Sequence, residues 1–290
     1  MNSDSLPAAV KKVVHFGSVS VGRLTATARM LPGFLICGGQ RCGTTSLYRA
    51  LAAHPVTLKA VLHKGVHYFD INYHRGLSWY RGHFPLQRTA QRVGRQWGSP
   101  AQAFESSPYY LYHPHAGARL AQDLPGVKII VLVRDPVQRA HSQHAHELAR
   151  GFETEPDFAR ALQLEAARLA GERERLLADP DAYSFSHQHH GYRSRGEYAT
   201  YLDALAQHVG RERILVVESE RFFADPEPVY DRILDFLGLP HLGYPRFDQH
   251  NARPRADRLA AQVRADLTAH FAAHDEALRR WLSGTPIWRM

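Results

Sequence analysis

The feature that most restricts the fold of this chain is a nearly continuous apolar run at residues 127–133, with the sequence VKIIVLV. It lacks the apolar and polar alternation of a half-exposed strand and is typical of a strand covered on both faces. Arg134, Asp135 and Pro136 follow at once, and proline is favoured in the first turn of a helix. The sequence therefore predicts a buried strand that leads directly into a helix.

Two further segments repeat this arrangement. Residues 34–37 form a short apolar run, followed by a glycine-rich loop and then by helical spacing over residues 44–53. Residues 214–217 resemble another buried strand, between predicted helices over 197–208 and 226–237. Strands that alternate with helices predict an α/β fold, with a P-loop-type parallel sheet flanked by helices on both faces in a single domain. Ligands of such sheets bind beyond the carboxyl ends of the strands.

The rest of the chain is less regular. Residues 1–32 are basic, and we predict that they form an N-terminal strap packed on a domain spanning 33–290; contact with a membrane surface is the alternative. Residues 68–112 and 151–195 show no clean period, so we expect them to form loops over the site. Residues 255–282 have the apolar spacing of a closing amphipathic helix.

Charge and cysteine content give broader limits. The 290 residues carry a formal net charge of +8, which favours an anionic partner but fits a nucleotide, a sulfated glycan, nucleic acid or a lipid surface equally well. Cys37 and Cys42 are the only cysteines, so no disulfide framework is expected. No apolar run approaches the length of a membrane span. We therefore predict a cytoplasmic protein.

The glycine-rich loop, GGQRCGTT at residues 38–45, has the glycine spacing of a nucleotide-binding P-loop. In such a loop the backbone N–H groups and a helix N-terminus surround an anion. Thr44 stands where a Walker loop carries its lysine, and the loop's cation is instead Arg41, before the last glycine. This arrangement favours a single 5′-phosphate over a triphosphate chain; a purely structural turn is the alternative.

The second motif follows the strand at 127–133. Arg134 stands at the strand end, and Ser142 lies about two turns into the next helix. An arginine and a hydroxyl placed in this way can converge on one phosphate, with the guanidinium as a bidentate donor. The alternative is a turn pair between Arg134 and Asp135 beside a solvated serine.

Together the two motifs resemble the family of sulfotransferases that use 3′-phosphoadenosine 5′-phosphosulfate (PAPS), in particular the branch that includes the heparan sulfate sulfotransferases. The resemblance implies that the first loop binds the 5′-phosphosulfate and that Arg134 and Ser142 bind the 3′-phosphate. Arg41 stands where the family usually has lysine, and the positive charge is kept. The residues implied on the 5′ side are Arg41, Cys42, Gly43, Thr44, Thr45 and Ser46.

Two later segments extend the resemblance. Arg195, Gly196 and Tyr198 are similar to a family segment that helps to hold the nucleotide. Arg253 and Arg255 lie before the final predicted helix, where the family closes a loop over the 3′-phosphate, although the family's lysine–glycine signature is missing. We expect these two arginines to contact the anion, with a solvated basic turn as the alternative.

The segment HKGVHYFD at residues 63–70 resembles the family's catalytic stretch, but Gly65 stands where the family has a glutamate base. His67 becomes the first candidate for the base, since an unperturbed imidazole is largely neutral at pH 7. Asp70 would then orient it, and Lys64 would supply charge to the leaving group. A packed histidine is the alternative for His67. If His67 is the base, a carboxylate restored by Gly65→Glu would compensate partly for its loss, provided that the backbone accepts a side chain.

A second candidate base is Glu105, in the segment FESSPYY at residues 104–110, which resembles a family segment on the acceptor side. The family often has lysine where this chain has Ser106. We expect no metal, because the transferred sulfuryl group carries less negative charge than a phosphoryl group and because clustered histidines in an arginine-rich chain are more often solvated or packed.

The resemblance implies an enzyme that moves the sulfuryl group of PAPS to a hydroxyl or amine of a carbohydrate, a glycolipid or another small acceptor, with no nucleic-acid partner. Two alternatives remain open at this point. A P-loop kinase or NTPase is disfavoured by Thr44 in the position of the Walker lysine. A non-catalytic binder of sulfated or phosphorylated ligands is suggested by Gly65.

Overall fold

The computed structural model describes residues 22–61, 63–248 and 259–290. Its five strands are all parallel and form one sheet in the order β2-β3-β1-β4-β5. The strands are β1 (Pro32–Ile36), β2 (Thr57–Lys59), β3 (Gln102–Ser106), β4 (Lys128–Val133) and β5 (Ile214–Glu218). The predicted α/β class, with a parallel sheet flanked by helices, is confirmed.

Helices connect and cover the strands. They are α1 (Thr44–Ala52), α2 (Leu77–Arg81), α3 (Gln87–Trp97), α4 (Ala116–Asp123), α5 (Pro136–Ala149), α6 (Phe158–Leu169), α7 (Glu172–Ala178), α8 (Phe185–His189), α9 (Tyr198–Val209), α10 (Ser219–Ala224), α11 (Pro226–Leu237) and α12 (Ala261–Leu282). The bounds of α11 match the prediction, and Gly238 ends it with a φ of 70°.

The prediction of two loop regions is wrong in part. The stretch 68–112 contains α2, α3 and β3, and the stretch 151–195 contains α6, α7 and α8. Strand β3 was missed because its sequence, QAFES, is largely polar, although it pairs with both β1 and β2 and buries Glu105 and Ser106. Helix α3 was missed because it is rich in polar side chains and buries no residue.

The central strands place several loops at one edge of the sheet. In β4 the residues from Ile129 to Val133 are fully buried, so this strand lies in the core of the molecule. Ile36 of β1 pairs with Ser106 of β3, and the N–H of Gly39 donates to the carbonyl of Leu132 at 2.9 Å. The segments that follow β1, β3 and β4 therefore emerge together at the carboxyl edge, where ligands of parallel sheets bind.

Part of the predicted N-terminal strap falls within the described residues. Arg29 forms an antiparallel bridge with Leu86, and its Nη1 donates to the carbonyl of Phe84 at 2.7 Å. Residues 1–21 lie outside the described residues, as do Arg253 and Arg255. In the described ranges, no helix has both the length and the apolar character needed to cross a membrane.

Candidate active site

The glycine loop joins β1 to α1. Gly43 has a φ of 79°, and a Cβ on it would lie 2.8 Å from the ring of Phe223. A Cβ on Gly38 would lie 2.3 Å from the backbone nitrogen of Leu132. Both positions therefore require glycine. The resulting bare backbone brings the N-terminus of α1 to the sheet edge, and the N-terminus of a helix favours an anion.

The structure brings the two motifs together. Arg41 Nε donates to Ser142 Oγ at 3.0 Å, and Arg134 Nη1 donates to the carbonyl oxygen of Arg41 at 3.3 Å. Ser142 belongs to α5, and Arg134 follows β4 directly. Arg41 has a φ of 71°, a conformation that a non-glycine residue seldom adopts outside functional sites and turns. Arg41 thus contacts Ser142 through its side chain and Arg134 through its carbonyl, so residues of two strand–helix units that are neighbours in the sheet meet here.

Tyr198 contacts the segments of Arg134 and Cys42 from within the core. Its ring is 1% exposed, and its hydroxyl donates to the carbonyl of Arg134 at 2.9 Å and lies 3.5 Å from the sulfur of Cys42. Ser219 Oγ donates to the carbonyl of Cys42 at 2.5 Å. Cys42 and Ser46 are themselves buried, so their side chains expose almost no surface.

Lys64 supplies a second cation to the loop. Its Nζ donates to Thr44 Oγ1 at 3.0 Å and to Thr45 Oγ1 at 3.1 Å. Burial lowers the pKa of Lys64 to about 8, although the negative charge of Glu105 acts in the opposite direction. The start of α1 therefore carries a lysine ammonium group that comes from a different segment of the chain.

His67 and Asp70 form a close pair. His67 Nδ1 lies 2.7 Å from Asp70 Oδ2, and Asp70 Oδ1 accepts from the backbone N–H of Ile71 at 2.6 Å. The imidazole is 36% exposed, whereas the side chain of Asp70 is fully buried. With Nδ1–H donated to Asp70, Nε2 is the nitrogen that can accept a proton.

Opposing influences act on the pKa of His67. Burial lowers it, but the charge of Asp70 and the hydrogen bond to Asp70 together raise the pKa above its ordinary value. The backbone at His67 has a φ of 55°, held by Asn72, whose N–H and Nδ2 donate to the carbonyl of His67 at 3.1 and 2.9 Å. The backbone that carries the imidazole is thus held in an uncommon conformation, a feature that clusters at functional sites.

Glu105, the other candidate base, is fully buried and committed to four donors. Burial raises its pKa, while its hydrogen bonds oppose the rise. The donors are Val66 N–H at 3.1 Å, Ser107 Oγ at 2.7 Å, Tyr110 OH at 2.7 Å and Tyr80 OH at 3.3 Å. Ser107 Oγ also accepts from the N–H of His67 at 3.1 Å. The carboxylate therefore holds the segment that carries His67.

Gly65 lies against the end of β3. A Cβ at this position would lie 2.6 Å from the carbonyl oxygen of Ser106 and 2.9 Å from Ser107 Oγ. The same Cβ would lie 3.4 Å from His67 Nε2, so the imidazole borders the space that a side chain at 65 would enter. The backbone does not provide room for a glutamate, which overturns the expectation that Gly65→Glu would compensate for the loss of His67.

The sequence did not predict a network of polar side chains that contacts the glycine loop. Glu147 accepts from Gln40 Nε2 at 2.5 Å and lies 2.9 Å from His189 Nδ1. Arg195 Nη1 donates to Gln40 Oε1 at 2.6 Å, which ties the loop to the segment before α9. Nothing in the sequence marks Glu147, because a glutamate in a polar helix normally faces solvent.

The fold and site define a class: an α/β protein with a glycine loop of the P-loop type and an arginine–serine pair from the neighbouring strand of the sheet and its helix. The Walker position of the loop holds Thr44 in place of a lysine. Residues 31–253 match the family described as the sulfotransferase domain. The chain belongs to this family, as the sequence predicted.

Relatives and a solved structure agree with this assignment. The chain is 30% identical over 233 residues to the human bifunctional heparan sulfate N-deacetylase/N-sulfotransferase 3, a match that covers 77% of this chain and 24% of the relative. It is 31% identical over 218 residues to the mouse heparan sulfate glucosamine 3-O-sulfotransferase 3B1, covering 75% and 48%. The chain thus spans about a quarter to a half of the length of these curated relatives. The crystal structure of a sulfotransferase from Alicyclobacillus acidocaldarius superposes with a TM-score of 0.65 at 26% identity, covering 90% of this chain and 100% of that one.

Proposed function

We propose that this chain transfers the sulfuryl group of PAPS to a hydroxyl or amine of a carbohydrate, a glycolipid or another small acceptor. The observation that carries the proposal is the junction of Arg41, Ser142 and Arg134, in which the cations and hydroxyl of two strand–helix units meet beside a helix N-terminus. A nucleotide with phosphates at both its 5′ and 3′ positions needs two such anion contacts at one sheet edge.

In the proposed complex, the 5′-phosphosulfate lies at the N-terminus of α1. The backbone N–H groups at the start of α1 bind it, and Lys64 and Arg41 supply positive charge to it. Arg134 and Ser142 bind the 3′-phosphate, which requires Ser142 to exchange its present contact with Arg41 for the phosphate. Tyr198 acts through the backbone of Arg134 and the loop, as its burial indicates.

Transfer proceeds by in-line attack of the acceptor on sulfur. The acceptor's oxygen or nitrogen forms a bond to sulfur while the bond from sulfur to the bridging phosphate oxygen breaks. The acceptor's proton passes to His67 Nε2, and Asp70 stabilises the imidazolium that forms. The negative charge left on the 5′-phosphate is stabilised by Lys64, Arg41 and the helix N-terminus. No metal takes part in this scheme, because these cations supply the positive charge.

The nature of the acceptor is proposed from the relatives, two of which carry heparan sulfate in their names. A net charge of +8 suits an anionic glycan of that class. The cytoplasmic location, the absence of a nucleic-acid partner and the membrane contact of the N-terminal strap stay predictions.

The test is a series of nucleotide-binding measurements followed by a sulfuryl-transfer assay. Calorimetry with 3′-phosphoadenosine 5′-phosphate (PAP), AMP and ATP should show PAP binding most tightly. Labelled PAPS offered with a panel of acceptors should then yield a sulfated product that mass spectrometry identifies. Magnesium-dependent ATP turnover would instead support the kinase alternative. Tight PAP binding without transfer to any acceptor would support the non-catalytic binder.

A further inference from the structure

Three metal-ligating side chains meet away from the glycine loop. His270 and His274 lie one turn apart on the same face of α12, and Glu197 lies directly before α9. His270 Nε2 is 3.1 Å and His274 Nε2 is 3.8 Å from the same oxygen, Glu197 Oε1. The three ligand atoms all lie within 4.8 Å of one another, and no other group of three such residues does so in the described part of the chain.

The spacing suits a tetrahedral transition metal. Bonds of about 2.0 to 2.2 Å at tetrahedral angles place neighbouring ligand atoms about 3.3 Å apart, close to the two distances measured here. Two imidazoles and one carboxylate are a common zinc donor set that leaves a fourth position for water. Side-chain exposures of 35%, 30% and 23% for His270, His274 and Glu197 leave the group accessible to an ion from solvent.

A single ion pair involves only one of the two imidazoles. The surface pair of His241 and Asp231, at 3.1 Å, is an example with one imidazole at its carboxylate. At Glu197 two imidazoles are directed at one carboxylate oxygen, and their ring centres are only 5.3 Å apart. Two imidazoles and a carboxylate in this arrangement can share one cation.

We propose that Glu197, His270 and His274 form a binding site for a divalent transition metal of the zinc class. The site joins α12 to a segment that supports the glycine loop. Glu197 lies between Arg195, which contacts Gln40, and Tyr198, which contacts the backbone of Arg134. The proposal does not rest on the proposed transfer reaction, since a bound metal would fasten this segment whatever the loop binds.

The experiment uses tag-free full-length protein cleared of metal with a chelator. Titration with Zn²⁺ by calorimetry should show one site per chain, and Co²⁺ should give the visible absorption of a tetrahedral complex. Saturating Zn²⁺ should raise the melting temperature by about 3 to 6 °C, whereas Mg²⁺ should leave it unchanged. Absence of a Zn²⁺ site, or a melting temperature that does not respond to Zn²⁺, overturns the proposal.

Variants assign the ligands. Glu197→Gln and His274→Ala should each weaken Zn²⁺ binding at least tenfold and abolish the cobalt absorption, while circular dichroism shows that both remain folded. His241→Ala removes a histidine from a carboxylate pair with one imidazole and should bind Zn²⁺ like the parent. Because the chain has 19 histidines, a site elsewhere would reveal itself by unchanged Zn²⁺ affinity in His274→Ala, and that result would also overturn the proposal.

Discussion

Lys64 Nζ lies 3.0 Å from Oγ1 of Thr44, the residue that occupies the Walker lysine position of the glycine loop. The cation that this position lacks in the sequence therefore reaches it from a segment 20 residues away along the chain. Its burial distinguishes it from an ordinary surface lysine, because the pKa of Lys64 is lowered to about 8.

This pKa predicts an alkaline limit to activity. At limiting PAPS, kcat/KM should fall as pH rises through about 8, because Lys64 then loses the proton that makes it a cation. Lys64→Arg should remove that fall, since a guanidinium stays charged, and Lys64→Ala should lower kcat/KM at every pH. The exposed Lys59 provides the control as Lys59→Ala. If kcat/KM of Lys64→Arg still fell at high pH as it does in the parent, the fall would belong to another group.

Arg134→Ala should weaken PAP binding about tenfold or more while changing AMP binding little. The reason is that a charge-assisted contact of this kind contributes roughly 1.5 to 3 kcal/mol, and only PAP carries the 3′-phosphate. Calorimetry on both nucleotides measures the difference. Arg92→Ala, which removes an exposed arginine of α3, controls for loss of net charge. Equal loss of AMP and PAP affinity would show that Arg134 does not read the 3′-phosphate.

Arg41→Ala should lower turnover more than PAP affinity. Its guanidinium already has a partner in Ser142, so we expect its charge to matter most when the leaving phosphate forms. Steady-state kinetics beside calorimetric affinities separate the two effects. A loss confined to affinity would make Arg41 a binding residue only.

The sequence predicted the parts of the fold that follow local rules. The apolar residues of β4 predict a buried strand, and the arginine and proline that follow it predict a loop and a helix. Neither prediction needs tertiary information. Strand β3 was not predicted because its buried carboxylate, Glu105, is satisfied by partners distant in sequence, such as Tyr80 and Val66. Burial that depends on such partners leaves no periodic pattern.

The residues of the candidate site also divide into those that a local pattern predicts and those that only tertiary contacts bring together. The cations of the two motifs could be named because each belongs to a local spacing of residues. The approach of Lys64 to Thr44, the burial of Glu105 and the close contact of Gly65 with Ser106 depend on how three loops meet at the sheet edge. Only the folded chain contains that information.

Gly65→Glu should destabilise the protein and should not rescue a variant that lacks His67. A Cβ there would lie 2.6 Å from the carbonyl of Ser106, so the loop must shift, at a cost of roughly 1 to 3 kcal/mol or more. Urea unfolding measures the loss. Gly284→Ala is the control, because a Cβ at Gly284 meets nothing within 4 Å. Normal stability of Gly65→Glu would show that the loop accommodates a side chain after all.

His67 is the expected general base. His67→Ala should leave PAP binding intact and reduce transfer by about 10² to 10⁴, as expected for loss of a general base. Since Asp70 raises the pKa of His67, kcat/KM of the parent should fall as pH drops through a value above the ordinary 6.5. Asp70→Asn removes that charge, so the fall of kcat/KM at low pH should occur at a lower pH than in the parent. The maximal rate of Asp70→Asn should fall less than that of His67→Ala.

Glu105→Gln separates the competing assignment from this one. An amide NH₂ in place of Oε2 would face the donors Val66 N–H and Ser107 Oγ, and in place of Oε1 it would face the hydroxyls of Tyr110 and Tyr80. In either orientation two present hydrogen bonds lose their acceptor, so we expect lower stability in urea. The fall of kcat/KM at low pH should remain in the folded fraction but move to lower pH, because the charge of Glu105 is one of the influences that raise the pKa of His67. Near-normal transfer by His67→Ala, together with loss of the fall at low pH in Glu105→Gln, would move the base to Glu105 and leave His67 as a packed histidine.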